Sequence, residues 1–424
     1  MPSSSARNLA LPVLLACATL VAAAAGATVR TAFVTSVSGT GNLSSWADAG
    51  GHTGLAAGDA ICQARAAAAG LPNAAAFRAW LSTTTVDAFC HVLGLNGTKA
   101  DDCNGGVVGD PPAGPWARTD GQPFAAKLAD LADETGVQVF QPLRFDENGA
   151  EVPFVDAFAW AATGANGRVF STTCVDWTSA SGAVVAGCGN AGGVGLYWTY
   201  YISLGCDAAH RLICLESAVG EVQRVPSTEG ALAFLTSVTG NGDLASWADS
   251  GGTAGLAGAD AVCRARAAAA HLPDVDRFHA WMSDSTADAI DRVWFLGPWV
   301  RLDGFPLAVT RAEMLGTTGA LLTGLNVDDA GAYVTGTLGE DKSWTGTQYT
   351  GQATTDNCAD WSSSLGSDLG TGGDFDTARY FTWQSGGSPY CVQLHRLYCL
   401  SNQAMLFWDN FERGDTLKWS AAAQ

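Results

Sequence analysis

The chain has 424 residues, room for about two to three domains of ordinary size, and it carries 41 acidic against 22 basic side chains for a formal net charge of −19. A surface of that sign repels phosphate backbones and anionic lipid, which excludes nucleic acid and heparin-like partners. The acids are spread over both halves, so they form no acidic tail and leave hard oxygen ligands for local divalent-cation sites.

The chain opens on an export leader. Arg7 supplies a positive start, LALPVLLACATLVAAAA is apolar, and Ala25-Gly26-Ala27 offers small residues for cleavage, which predicts a signal peptide over 1–27. Cleavage before Cys17, in LLAC, is the competing reading and would leave a lipid anchor. No other stretch reaches the ~18 unbroken apolar residues of a membrane span. With Cys17 in the leader, 11 of the 12 cysteines remain, widely spaced and without a CxxC pair. In an exported chain these read as structural disulfides with one thiol left over.

At an offset of 201, residues 32–82 and 233–283 are identical at 32 of 51 positions, so the chain is a duplication. The halves run over 29–216 and 231–400, with a linker at 217–230. Each begins with an alternating strand, TAFVTSV or ALAFLTSV, followed by a glycine-rich loop, GTGNLSSWADAGG or GNGDLASWADSGG. An alanine-rich helix follows, LAAGDAICQARAAAAGLP or LAGADAVCRARAAAAHLP, with Cys62 or Cys263 on a stripe of small residues. Asp59 or Asp260 in its first turn would complement the helix dipole. FRAWLS and FHAWMS read as short strands, and Asp120-Gly121 and Asp303-Gly304 as hairpin turns inside GPWARTDGQP and GPWVRLDGFP. After the segments CVDWTS and CADWSS, each half closes on a strand, RLICLE or RLYCL. The pattern is α+β, with one or two helices against a mixed sheet in each half.

The second half has four cysteines, which allow three pairings. The nested one, Cys263–Cys399 with Cys358–Cys391, ties the helix to the closing strand and closes the longest loop, a constraint of ~5 kcal/mol on the chain-entropy account. The first half would repeat it as Cys62–Cys214 and Cys174–Cys206, with Cys90–Cys103 pinning an insertion and Cys188 unpaired.

The order GLAAGDAICQARAAAAGLPNAAAFRAWLS, PWARTDG, CVDWTS, CDAAHRLICLES resembles the endostatin domain at the carboxyl end of collagens XV and XVIII, and bacterial extracellular domains of that type, within the wider C-type-lectin-like fold. The resemblance covers nearly all of both halves. It implies two tandem C-type-lectin-like/endostatin-like domains, each a disulfide-closed mixed sheet with one or two helices. The functional motifs of that group are missing: no Glu-Pro-Asn, Gln-Pro-Asp or Trp-Asn-Asp carries calcium-dependent sugar binding, TVRTAFVTS lacks the leading histidines of the endostatin zinc site, and no arginine-rich face is present for heparin. The tail, 401–424, contains LFWDNFERGDTLKWS, which resembles short surface or processing signals at the end of exported bacterial proteins.

Three sets of residues are candidates for chemistry. Trp46 and Trp247 stand in polar loops where periodicity gives no reason for burial, so with Asp48 and Asp249 they are the candidate ligand platform. The acid pairs Asp146-Glu147 and Asp328-Asp329, in RFDENG and NVDDAG, read as solvated turns or, functionally, as calcium sites. His210 and His395 are the one histidine pair shared by both halves, and a polar residue held by a backbone partner accounts for them better than a zinc ligand. No cofactor is required beyond that calcium. The expectation is a secreted or cell-surface, non-catalytic protein that recognises extracellular protein or glycan, two similar modules raising avidity. A purely structural envelope protein and a glycan hydrolase using the paired acids are the alternatives.

Overall fold

The structure, a computed structural model, describes residues 30–107, 113–217, 229–316, 321–336, 342–379, 381 and 387–404. The leader with Cys17, most of the linker, the tail beyond 404 and Trp383 lie outside the described residues.

Strands from the first half form one mixed sheet: β1 (Arg30–Val34), β2 (Phe77–Ala79), β3 (Trp116–Arg118), β4 (Pro123–Ala125), β5 (Phe158–Trp160), β6 (Val185–Asn190), β7 (Ile202–Gly205) and β8 (Arg211–Glu216). Its order is β4-β3-β1-β8-β5-β6-β7, and β2 also pairs with β8. The closing strand β8 is therefore the hub, antiparallel to β1 and β2 and parallel to β5. The second half repeats the plan with β9 (Ala231–Leu235), β10 (Phe278–Ala280), β11 (Trp299–Arg301), β12 (Pro306–Ala308), β13 (Lys342–Trp344), β14 (Gly372–Asp374) and β15 (Arg396–Ser401), in the order β12-β11-β9-β15-β13-β14 with β10 against β15.

Alanine-rich sequence makes the long helices, Gly54–Ala68 and Gly255–Ala269, and small side chains let each lie close to its sheet. The buried face of the first is Ala57, Gly58, Ile61, Cys62 and Ala66. Asp59 and Asp260 differ from the sequence expectation: neither lies in the first turn. Their carboxylates reach across to the neighbouring strand, accepting the Ala79 and Ala280 amides at 3.0 Å, so they bolt helix to sheet. The disulfides are Cys62–Cys214, Cys174–Cys206, Cys90–Cys103, Cys263–Cys399 and Cys358–Cys391, nested in both halves, and Cys188 is free and buried.

A buried indole N–H usually finds an acceptor. Trp116, Trp160 and Trp177 donate to the carbonyls of Glu216, Gly39 and Ser82, and Trp299, Trp344 and Trp361 to those of Ser401, Gly240 and Ser283. The same bonds in the same places show that the duplication extends to the hydrogen-bonded core.

The expectation of two tandem, separable domains is overturned. The chain forms a single intertwined α+β unit, because main-chain and core contacts join the two sheets. Gly193 bridges Thr377, with the Val194 amide donating to the Asp376 carbonyl at 2.8 Å and the Ala378 amide to the Gly192 carbonyl at 3.2 Å. Val137 N–H donates to Thr335 Oγ1 at 2.6 Å, Arg144 Nη1 to the Leu321 carbonyl at 2.9 Å, and Thr323 Oγ1 and Arg301 Nη2 both to the Phe140 carbonyl. Phe140 stacks on Phe305 with ring centroids 4.6 Å apart. Each half leaves backbone donors and aromatic surface that only the other covers, so they fold against one another.

Candidate functional site

The repeated glycine-rich loops are built to swallow their tryptophans. Trp46 is 8% exposed and Trp247 7%, and their indoles donate to Thr40 and Asn241 carbonyls at 2.9 Å. Gly39 and Gly240 make room for the rings: a Cβ there would stand 2.4 and 2.2 Å from the indole. Gly41 and Gly242 let the loop pass over the inner disulfide, where a Cβ would meet Cys174 or Cys358 Sγ at 2.3 or 2.4 Å. Asp48 and Asp249 pair with Arg65 and Arg266 of the long helices at 3.0 and 2.9 Å. These four residues close each loop onto its own helix and present no stacking platform.

The acid pairs are buried and self-bonded, not solvated. Asp146 accepts the amides of Asn148 and Ala150, and Asp328 those of Ala330 and Ala332. Glu147 takes the Ser36 amide and hydroxyl, and Asp329 the Ser237 amide and hydroxyl. A turn acid thus caps its own turn while its neighbour fastens that turn to the end of the first strand. Among the described residues no group of three or more His, Cys, Asp or Glu side chains is arranged to hold a metal. His210 and His395 pack edge-on against Trp160 and Trp344 at 4.7 and 4.5 Å. Burial, and secondarily Lys342, pushes His395 down to about 4.

A broad cleft lies elsewhere, in the second half. It encloses about 930 Å³ between the loop at Ser285, the hairpin from Thr347 to Thr354 and the segment from Thr355 to Asp360, with Thr371 and Ser388 completing the wall. Hydroxyls, amides and two carboxylates, Asp356 and Asp360, are spread through its lining, and Tyr349 adds a half-exposed ring. Among the described residues no lysine, arginine or histidine lines it.

Its floor is an unusual backbone. Cys358, Ala359, Asp360 and Trp361 all lie in the left-handed region, with φ between 53° and 63°, and Cys174–Trp177 repeat this in the first half. Left-handed non-glycine residues cost roughly 1–2 kcal/mol each, so the surroundings must hold the turn. Asn357 Oδ1 accepts the Asp360 amide at 3.1 Å, and Asp360 accepts the Ser285 amide and hydroxyl at 2.8 and 2.7 Å and the Asn357 amide at 2.8 Å. These donors, the Ser285 hydroxyl foremost, hold the Asp360 carboxyl below the usual carboxylate range. Asp176 is held in the same way by Thr84 and Thr173, so this aspartate belongs to the scaffold.

Asp356 is different. Its Oδ2 accepts from Ser388 Oγ at 2.8 Å and its carbonyl from the Thr371 amide at 2.6 Å, which fixes the residue, while Oδ1 has no partner among the described residues. Between the shared tryptophan and cysteine, Trp160–Cys174 and Trp344–Cys358, the halves align without a gap, and the bridges Thr163–Val169 and Thr347–Ala353 give the same register. In that alignment Asp356 stands where the first half has Thr172, Tyr349 where it has Ala165, and Thr354 where it has Phe170. Phe170, 62% exposed, folds over Gly164 and meets Tyr200 edge-on at 4.7 Å, so an aromatic pair stands where the second half has its cleft.

Sequence reasoning passed over Tyr349, Asp356 and the turn. The readable signal was the difference between the halves in this one ungapped stretch, where apolar residues give way to polar ones. No family model matches the chain, and no curated protein matches it.

Proposed function

We propose that the chain is a secreted or cell-surface, non-catalytic binding protein that holds an extracellular protein or glycan in the Tyr349 cleft. One observation carries this: a broad cleft in which the half-exposed Tyr349 ring stands with Asp356 Oδ1 and the Thr355 hydroxyl, both unbonded among the described residues, on a strained turn that its own bonds hold in place. Five disulfides support an oxidising destination. The likeness of each half to extracellular endostatin-type sequences agrees with it. No helix among the described residues is long and apolar enough to cross a membrane. The reading requires no calcium, since the paired acids are already bonded to their own turns and to Ser36 and Ser237.

The test is binding of the full chain to an array of extracellular polysaccharides and proteins. Saturable binding that Tyr349→Ala weakens about 10-fold or more, with an unchanged melting temperature, is the expected outcome, because a well-packed aromatic anchor contributes ~1.4 kcal/mol or more. Saturable binding indifferent both to Tyr349→Ala and to a blocking Ala359→Trp would move the site elsewhere, and no binding at all would sink the reading.

A further inference from the structure

We infer that the occupant of the Tyr349 cleft is an uncharged saccharide, bound without a metal and one per chain; this rests on the binding reading above and names its ligand. Drug-like and peptide side-chain pockets are mostly apolar with a few polar points. This cleft is more evenly mixed: the Tyr349 ring and the Ala353 and Ala359 methyls supply apolar surface among hydroxyl, amide and carboxylate groups. A sugar ring has the matching construction. Its hydroxyls both donate and accept, as serine, threonine, asparagine and glutamine do, and its C–H face can lie on an aromatic ring.

Asp356 sets the polarity of recognition. Its open Oδ1 accepts a hydrogen bond and donates none, and the Thr355 hydroxyl beside it makes no bond to another described residue. Asp360 already accepts three bonds from Ser285 and Asn357, so it contributes mainly charge to the cleft. Two carboxylates, with no basic residue among the described residues of the lining, repel uronic acids and sulfated sugars, a built-in discrimination. The rigid turn means little ordering cost on binding. In the first half Ala165 and Thr172 stand in the places of Tyr349 and Asp356, so the aligned stretch offers the ring and the open acid once per chain.

Isothermal titration of the intact chain in EDTA tests this, using uncharged gluco-, xylo-, manno-, galacto- and N-acetylglucosamine oligosaccharides beside oligogalacturonate and a heparin fragment. At least one uncharged series is expected to bind with a stoichiometry near one, and the acidic probes not at all. Asp356→Asn and Tyr349→Ala should each weaken it roughly 10-fold or more, Tyr349→Trp should restore it, and Phe170→Ala should leave it alone. Preference for an acidic probe, binding that EDTA abolishes, two seats per chain, or indifference to both Asp356→Asn and Tyr349→Ala would each overturn the inference. If no oligosaccharide binds while a protein on the array binds in a Tyr349-dependent way, the inference falls and the binding reading stands. If nothing binds, both fall.

Discussion

Asp376 sits at the junction of the two halves, fully buried, and shows how a single carboxyl can couple that junction to pH. Its Oδ2 accepts the amides of Leu196, from the first half, at 3.0 Å and of Gly336 at 3.2 Å, while Oδ1 is buried without a donor. Burial, opposed by those two amides and reinforced by Asp374, pushes it up to about 7. Asp374 is itself buried against Lys342 at 3.1 Å. An unfolded aspartate titrates near ~4, so between about pH 4 and 7 the folded chain holds a proton that the unfolded chain has lost. The contribution of this group is therefore complete below the unfolded value and is lost as pH rises through 7. Asp376→Asn, which cannot ionise, should be nearly neutral at pH 4.5. At pH 8 it should raise the melting temperature by a few degrees, at about 2–4 °C per kcal/mol for larger domains. Melts of both proteins from pH 4.5 to 8.5 check this, and a gain that shrinks with rising pH would contradict the assignment. His395 works in the opposite direction: with its folded value lowered to about 4, its contribution is lost as pH falls from about 6.5 toward 4.

The elements show which parts of the sequence speak for themselves. Helix, first strand and closing strand were legible because alanine content, alternation and the repeated cysteine spacing are local signals that agree with one another. The opening loops were legible as loops but not in what they do. Burial of Trp46 and Trp247 depends on Gly39 and Gly240 folding back beneath them and on a helix arginine placed 17 residues after each aspartate. Trp46→Ala and Trp247→Ala should each cost about 3–5 kcal/mol in chemical denaturation, the usual range for truncating a buried aromatic. Ligand affinity of the folded protein should not change. A Trp247→Ala variant that keeps its stability and loses binding would restore the platform reading. The left-handed turn was not legible at all. Of CADW only Asp360 is of a type that tolerates positive φ, and four such residues in a row are imposed by Asn357 within the turn and by Ser285, 75 residues before Asp360.

For the whole molecule, the decisive feature is the seam. Bonds from Gly192, Val194 and Leu196 to 376–378, together with Phe140 set on Phe305, make each half part of the other's surface. A protease site engineered between 217 and 229 should yield, after complete cleavage, two fragments that still co-elute as one species without denaturant. Fragments that separate and remain folded would show two independent domains. By itself, the sequence determined that the chain is a duplication, that it is acidic, that its class is α+β, and which cysteines stand at which points of each half, since repeats, charge and periodicity are properties of neighbours along the chain. Only the tertiary structure decided that the halves close into one unit, that the loop tryptophans and paired acids are spent inside, and that Tyr349 and Asp356 line one cleft over a left-handed turn. Those outcomes depend on which groups remain unsatisfied once everything else has paired, and that is settled by contacts between residues far apart in sequence.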